Sequence, residues 1–139
     1  MAEIVGIALA IPAIVQTLFT YYTDTKEAKQ DIASYVSELF SLKGIIEYIK
    51  IVQKTESETL RKSRYESNEF KRLVEVTNKS LEELQSTLKP KFGGPSLVQR
   101  MTWSLKKKEV QEKFAKLQSL KSGFLMVLTA DNLSVISTS

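Results

Sequence analysis

The 139-residue chain has no cysteine and no histidine. It therefore forms no disulfide framework. The usual zinc ligand sets, cysteine nucleophiles and Ser-His pairs are excluded with them. A chain free of cysteine also fits a reducing cytosol. Five glycines and three prolines are too few for a turn-rich β-sandwich. Walker A and dinucleotide glycine fingerprints are missing, and Gly93-Gly94 is only a doublet in a loop. The 16 carboxylates fall beside Lys or Arg on polar helix faces, and no pair is singled out for acid-base work. The expectation is a non-enzyme with no catalytic residue, no cofactor and no metal.

Charge is also missing from one long stretch. No residue from Ile4 to Thr23 is charged. As a helix, those residues would span roughly 30 Å, the thickness of a bilayer core. The start Met-Ala-Glu lacks the positive region of a secretory signal, and Tyr21-Tyr22 stands where a cleavage site would lie. Gln16, Thr17, Thr20 and Thr23 dilute the second half, and positive flanks are absent, which argues against a constitutive span. A helix apolar on all sides also fits the centre of a bundle, and helix one is expected there. Ala2, Gly6 and Ala10 recur at spacing four, a ladder of small residues that permits close helix approach. The bland reading of that ladder is packing inside a soluble bundle. Pro12 predicts a kink.

The rest of the chain reads as amphipathic helices. Asp24 and Glu27 suggest a capping pair before a second helix with core residues Ile32, Tyr35, Val36, Leu39, Leu42, Ile46, Ile49 and Val52. Thr55 and Glu58 suggest another cap. Residues 56–69 are charged and weakly patterned, either an exposed helical turn or a mobile connection. A helix resumes with Phe70, Leu73, Val74, Leu81, Leu84 and Leu88, and Pro90 ends it. Ser96 and Gln99 predict a short helix through Trp103. The last helix is expected from Lys106 to Thr129, with Val110, Phe114, Leu117, Phe124 and Leu128 inward. The fold class is all-α: a bundle of four main helices plus one short helix over residues 1–132, followed by a polar tail or linker stub at 133–139.

Positive charge is concentrated late in the chain. Residues 89–121 hold nine basic side chains against Glu109 and Glu112, a net of +7. Lys106, Lys107 and Lys108 sit at a helix N-terminus, where the macrodipole prefers acids, which tilts the reading toward binding. The bland reading is a solvated face. Trp103 beside those cations suits a lipid interface. No aromatic base-stacking platform accompanies them, so nucleic acid is not an expected partner.

The stretch Met1-Ala-Glu-Ile-Val-Gly-Ile-Ala-Leu-Ala-Ile-Pro-Ala-Ile-Val-Gln resembles the start of the HeLo and HeLo-like domains, the N-terminal cell-death execution domains of fungal NOD-like receptors and prion-controlled toxins. Met101-Thr-Trp-Ser-Leu-Lys-Lys-Lys-Glu-Val-Gln-Glu, Leu117-Gln-Ser-Leu-Lys and Leu125-Met-Val-Leu-Thr-Ala-Asp-Asn are similar to the family's basic turn and last long helix. The likeness covers nearly the whole chain and rests on hydrophobic and charge patterns. It implies a helical bundle that is cytoplasmic at rest, forms a homo-oligomer on activation and pushes its first helix into the plasma membrane. Some members carry a glycine zipper there, and Ala2 and Ala10 stand at zipper-like positions around Gly6. Full-length relatives continue into a receptor region or an amyloid motif, which would make the chain an excised domain with that region as its partner. On this reading Ile4, Gly6, Ile7, Leu9, Ala10, Ile11, Ile14 and Val15 enter the bilayer. Arg100, Trp103, Lys106, Lys107 and Lys108 dock on anionic phospholipid. The alternative is a helical interaction or oligomerisation module that never meets lipid.

Overall fold

The computed structural model describes the backbone of residues 2–89 and 103–138, and the side chains of residues 4–89 and 103–129. Among the described residues the chain is all-α, with five helices and no strand: α1 (Ala2–Phe19), α2 (Lys26–Thr55), α3 (Glu58–Tyr65), α4 (Asn68–Leu88) and α5 (Trp103–Thr138). The stripes expected from spacing turn inward. Ile32, Leu39, Leu42, Ile46 and Ile49 of α2 meet Phe70, Val74, Leu81, Leu84 and Leu88 of α4, and Val110, Phe114, Leu117 and Phe124 of α5, in one core. The main packing joins α1 to α2 and α4, and α5 to the same two helices, so the order around the bundle is α1, α2, α5, α4.

This order corrects the expected central place of helix one. α1 is a corner, and its outer side is open: Leu9, Pro12, Ala13, Gln16 and Phe19 are exposed. The helix runs on through Pro12 and ends at Phe19, not Thr23. Tight turn bonds follow, from Thr20 N–H to Thr17 O and from Tyr21 N–H to Leu18 O, 3.1 and 3.0 Å.

The caps differ from those expected. Thr25, not Asp24, caps α2, its hydroxyl accepting from Ala28 N–H at 2.9 Å. Both residue types suit an N-cap, and Asp24 is engaged elsewhere. Thr55 is the last residue of α2, its hydroxyl donating back to Val52 O, and Ser57 caps α3 instead, accepting from Leu60 N–H. Residues 58–65 thus form the short helix, pinned by the Arg64–Glu56 ion pair and by buried Tyr65 edge-on to Phe70. Ser67 starts α4 just ahead of the expected Phe70. The short helix expected at 96–103 lies outside the described residues, except that Trp103 opens α5. α5 continues past Thr129, so residues 133–138 extend a helix where a polar tail was expected.

Two glycines have opposite surroundings. A Cβ at Gly123 would stand 3.1 Å from Leu73 Cδ1, so this glycine lets α5 close on α4. A Cβ at Gly44 would meet nothing within 4 Å. In the middle of α2, Gly44 costs about 1 kcal/mol of helix propensity relative to alanine, and no close packing within the chain requires it.

Candidate membrane-facing helix, basic segment and cleft

Seven side chains of α1, Ile4, Ile7, Ala8, Ile11, Ile14, Val15 and Leu18, are buried against the bundle. Of the residues expected to enter a bilayer, Ile4, Ile7, Ile11, Ile14 and Val15 are therefore core here, Gly6 and Ala10 are half-buried, and Leu9 stands out at 72% exposed. Leu9, Pro12, Ala13, Gln16 and Phe19 make an outer stripe without charge. Gly6 lies on the packed side: an added Cβ would come 3.3 Å from Asn78 Oδ1 on α4. A large side chain at position 6 would thus report bundle packing before membrane entry. Polar contacts also hold α1 and its turn to α4. Gln85 Nε2 donates to Thr17 Oγ1 at 3.2 Å, and the Tyr21 hydroxyl donates to Leu88 O at 2.5 Å. Among the described residues, no helix is long and apolar enough to cross a membrane.

The basic segment is placed differently from its expected role. Trp103 is buried, not presented to a lipid interface. Its indole Nε1–H donates to Asp31 Oδ2 at 2.9 Å, and its backbone N–H donates to Asp24 Oδ2 at 3.0 Å. Its ring sits among Tyr21 and Tyr35, with centroids 5.7 and 6.2 Å away, and Tyr35 stacks on Phe114 at 4.0 Å. Lys106 is only 4% exposed, and its ammonium donates to Thr87 O at the end of α4. A cation there is favoured by the C-terminal end of that helix dipole. Lys107 pairs with Glu27 and with Asp31, the latter at 3.9 Å. The unfavourable start of α5 is thus offset by carboxylates of α2 and a carbonyl of α4. Lys108 is exposed, and Arg100 lies outside the described residues.

Two tyrosines bordering Trp103 give a pH signature. The Tyr35 phenol is pushed up to about 12 by burial first, then by Asp31 and Glu38. Tyr21 is raised by burial and then by Asp24. Tyrosines of the unfolded chain ionise near pH 10. The stability these phenols contribute is complete below about pH 10 and is lost as pH climbs toward 12. A phenolate absorbance titration should show late-ionising tyrosines, and Tyr35→Phe should remove one of the late steps. An unchanged curve for that variant would contradict the assignment.

A further basic feature was not singled out in the sequence because its residues come from three helices. The start of α1, the end of α2 and α3 enclose a cleft of about 560 Å³. Ile4, Val5 and Tyr65 give it apolar lining, and Lys50, Lys54, Arg61 and Lys62 outnumber Glu58 and Glu66 around it. Lys62 lies 3.7 Å from Glu58 in an exposed pair, worth little in water. The arrangement suits an anion with an apolar part. Among the described residues, no group of three or more carboxylates could hold a metal ion. No family model, curated protein or solved structure matches the chain.

Proposed function

We propose that this chain is a membrane-targeting, oligomerising effector domain that permeabilises anionic membranes through its first helix. The observation that carries the reading is the uncharged outer stripe of α1, from Leu9 to Phe19, on a helix whose buried face is aliphatic. Such a helix can exchange its protein partners for the acyl region of a bilayer. The basic cleft lies at the start of the same helix, so headgroup contact and helix entry would occur together. Among the described residues no helix is long and apolar enough to cross a membrane, and in this reading α1 enters as one wall of a homo-oligomer. The resemblance to cell-death execution domains points the same way, with a cytoplasmic resting state and the plasma membrane as target.

The test is dye leakage from anionic and from neutral phospholipid vesicles. Leakage should be strong with the anionic set and should fall with salt, since exposed charges are screened within about 8 Å at physiological ionic strength. Each basic residue at such a surface contributes about 1 kcal/mol. Lys54→Gln with Arg61→Gln should therefore weaken vesicle binding roughly 30-fold, with little change in melting temperature because both side chains are exposed. If the parent chain neither binds nor leaks either vesicle, the interaction-module alternative replaces this reading.

A further inference from the structure

α2 has two uncharged sides. Its inner face carries the core residues, while its outer face carries Ala33, Ser37, Phe40, Gly44, Tyr48, Ile51 and Thr55, all exposed. Each is three or four residues from the next, so they share one side of the helix, and the row runs about 33 Å along it. None of the seven is charged, although α2 carries Glu38, Lys43, Glu47, Lys50 and Lys54 along the same length. Phe40, Tyr48 and Ile51 are 48, 56 and 61% exposed. Gly44 lies at the middle of the seam with open space above it.

We infer that this face of α2 is the surface on which a second copy of the chain docks, helix against helix about a two-fold axis near Gly44. The inference is independent of lipid, and it supplies the contact surface for the oligomer in the function proposed above. Self-pairing requires that a face carry no repulsion against itself, and an uncharged seam meets that condition. On one rim, Lys43 and Glu47 sit one turn apart and pair within the helix at 3.7 Å. An antiparallel two-fold pair centred on Gly44 brings each Glu47 toward the partner's Lys43, so the rim is complementary as well. The glycine decides between protein and lipid as occupant. A missing side chain lets two helix backbones approach closely, whereas fluid acyl chains gain nothing from the gap. The seam is one helix wide, so it buries less than the roughly 1,200–2,000 Å² of a stable complex. Weak, concentration-dependent association is the form it takes in solution.

The chain has no cysteine, so a single introduced thiol reads the contact without background. Gly44→Cys should cross-link to itself under mild oxidation, because a two-fold axis near this position brings the two Cα atoms within about 7 Å. Glu69→Cys, exposed on α4, is the control and should stay monomeric. In sedimentation equilibrium the parent should show concentration-dependent dimerisation. Gly44→Arg should weaken it at least tenfold while leaving the melting temperature equal or higher. Lys43→Glu and Glu47→Lys should each weaken dimerisation, and the double exchange should restore it. A parent that stays monomeric up to millimolar concentration, or equal cross-linking at positions 44 and 69, overturns the inference. So does a Gly44→Arg variant that loses vesicle binding but self-associates like the parent. Failure of vesicle leakage by the parent counts against the membrane function and leaves the self-docking face standing.

Discussion

Leu9→Glu is expected to abolish vesicle leakage while the melting temperature stays within a few degrees of the parent. Leu9 is exposed on the outer side of α1, and surface substitutions away from special features change stability by about 0.5 kcal/mol or less. A carboxylate near the middle of a membrane-embedded helix costs on the order of 3 kcal/mol, about a hundredfold in insertion. Ile11 provides the contrast two residues away. It is fully buried, so Ile11→Glu places an unpaired charge in the core and loses fold and leakage together. Thermal melts beside leakage for the two variants separate the outer stripe from the inner one. A Leu9→Glu chain that leaks like the parent would end the insertion reading.

Trp103→Ala should lower stability by about 3–5 kcal/mol, a fall of roughly 10–20 °C in melting temperature for a chain of this size. The substitution empties the space between Tyr21 and Tyr35 and removes the indole partner of Asp31. Trp103→Phe keeps most of the ring volume and loses chiefly the hydrogen bond, about 1 kcal/mol. Trp103 is the only tryptophan, so intrinsic fluorescence follows this site directly, and it should be shielded from aqueous quenchers in the folded chain. If Trp103→Ala melted like the parent and lost only vesicle binding, the residue would belong to a lipid surface after all.

The contrast between these two positions marks what was legible in the sequence. The core stripes of α2, α4 and α5 follow from spacing alone, because a helix brings residues three and four apart onto one face. Ile32, Leu39, Phe114 and Leu117 needed no knowledge of their partners to be placed. Trp103 and Lys106 did. Their decisive contacts are with Asp31 and Asp24, 72 and 79 residues away, and with Thr87, 19 residues away. Local reasoning placed lysines against a helix dipole and inferred binding, but the offsetting carboxylates sit on a different helix. Asp24 misled in the complementary way: adjacent Asp24 and Thr25 are both good caps, and the tertiary demand of the Trp103 N–H decides which one caps α2. The cleft beside α1 stayed hidden for the same reason, since Lys54 and Arg61 lie on different helices and meet around it only with the start of α1. The exposed seam of α2 is legible as a second uncharged face, but its Ala33, Ser37, Gly44 and Thr55 give a weaker hydrophobic signal than the inward stripe of the same helix.

The corner position of α1 sets an energetic threshold. Its buried side chains include five large aliphatic residues, Ile4, Ile7, Ile11, Ile14 and Leu18, at 2% exposure or less. Each contributes about 1.5–3 kcal/mol on burial, so freeing the helix into water would cost on the order of 10 kcal/mol, comparable to the whole stability of a domain this size. Departure would also strip α2 and α4 of the neighbour that joins them on that side, leaving α5 as their main bridge. Helix one therefore cannot act as a loosely tethered arm sampling its surroundings. In the function proposed above it would be a latch that opens only where another apolar medium takes over its contacts as the old ones are given up, so the trigger and the destination of that movement would be the same surface.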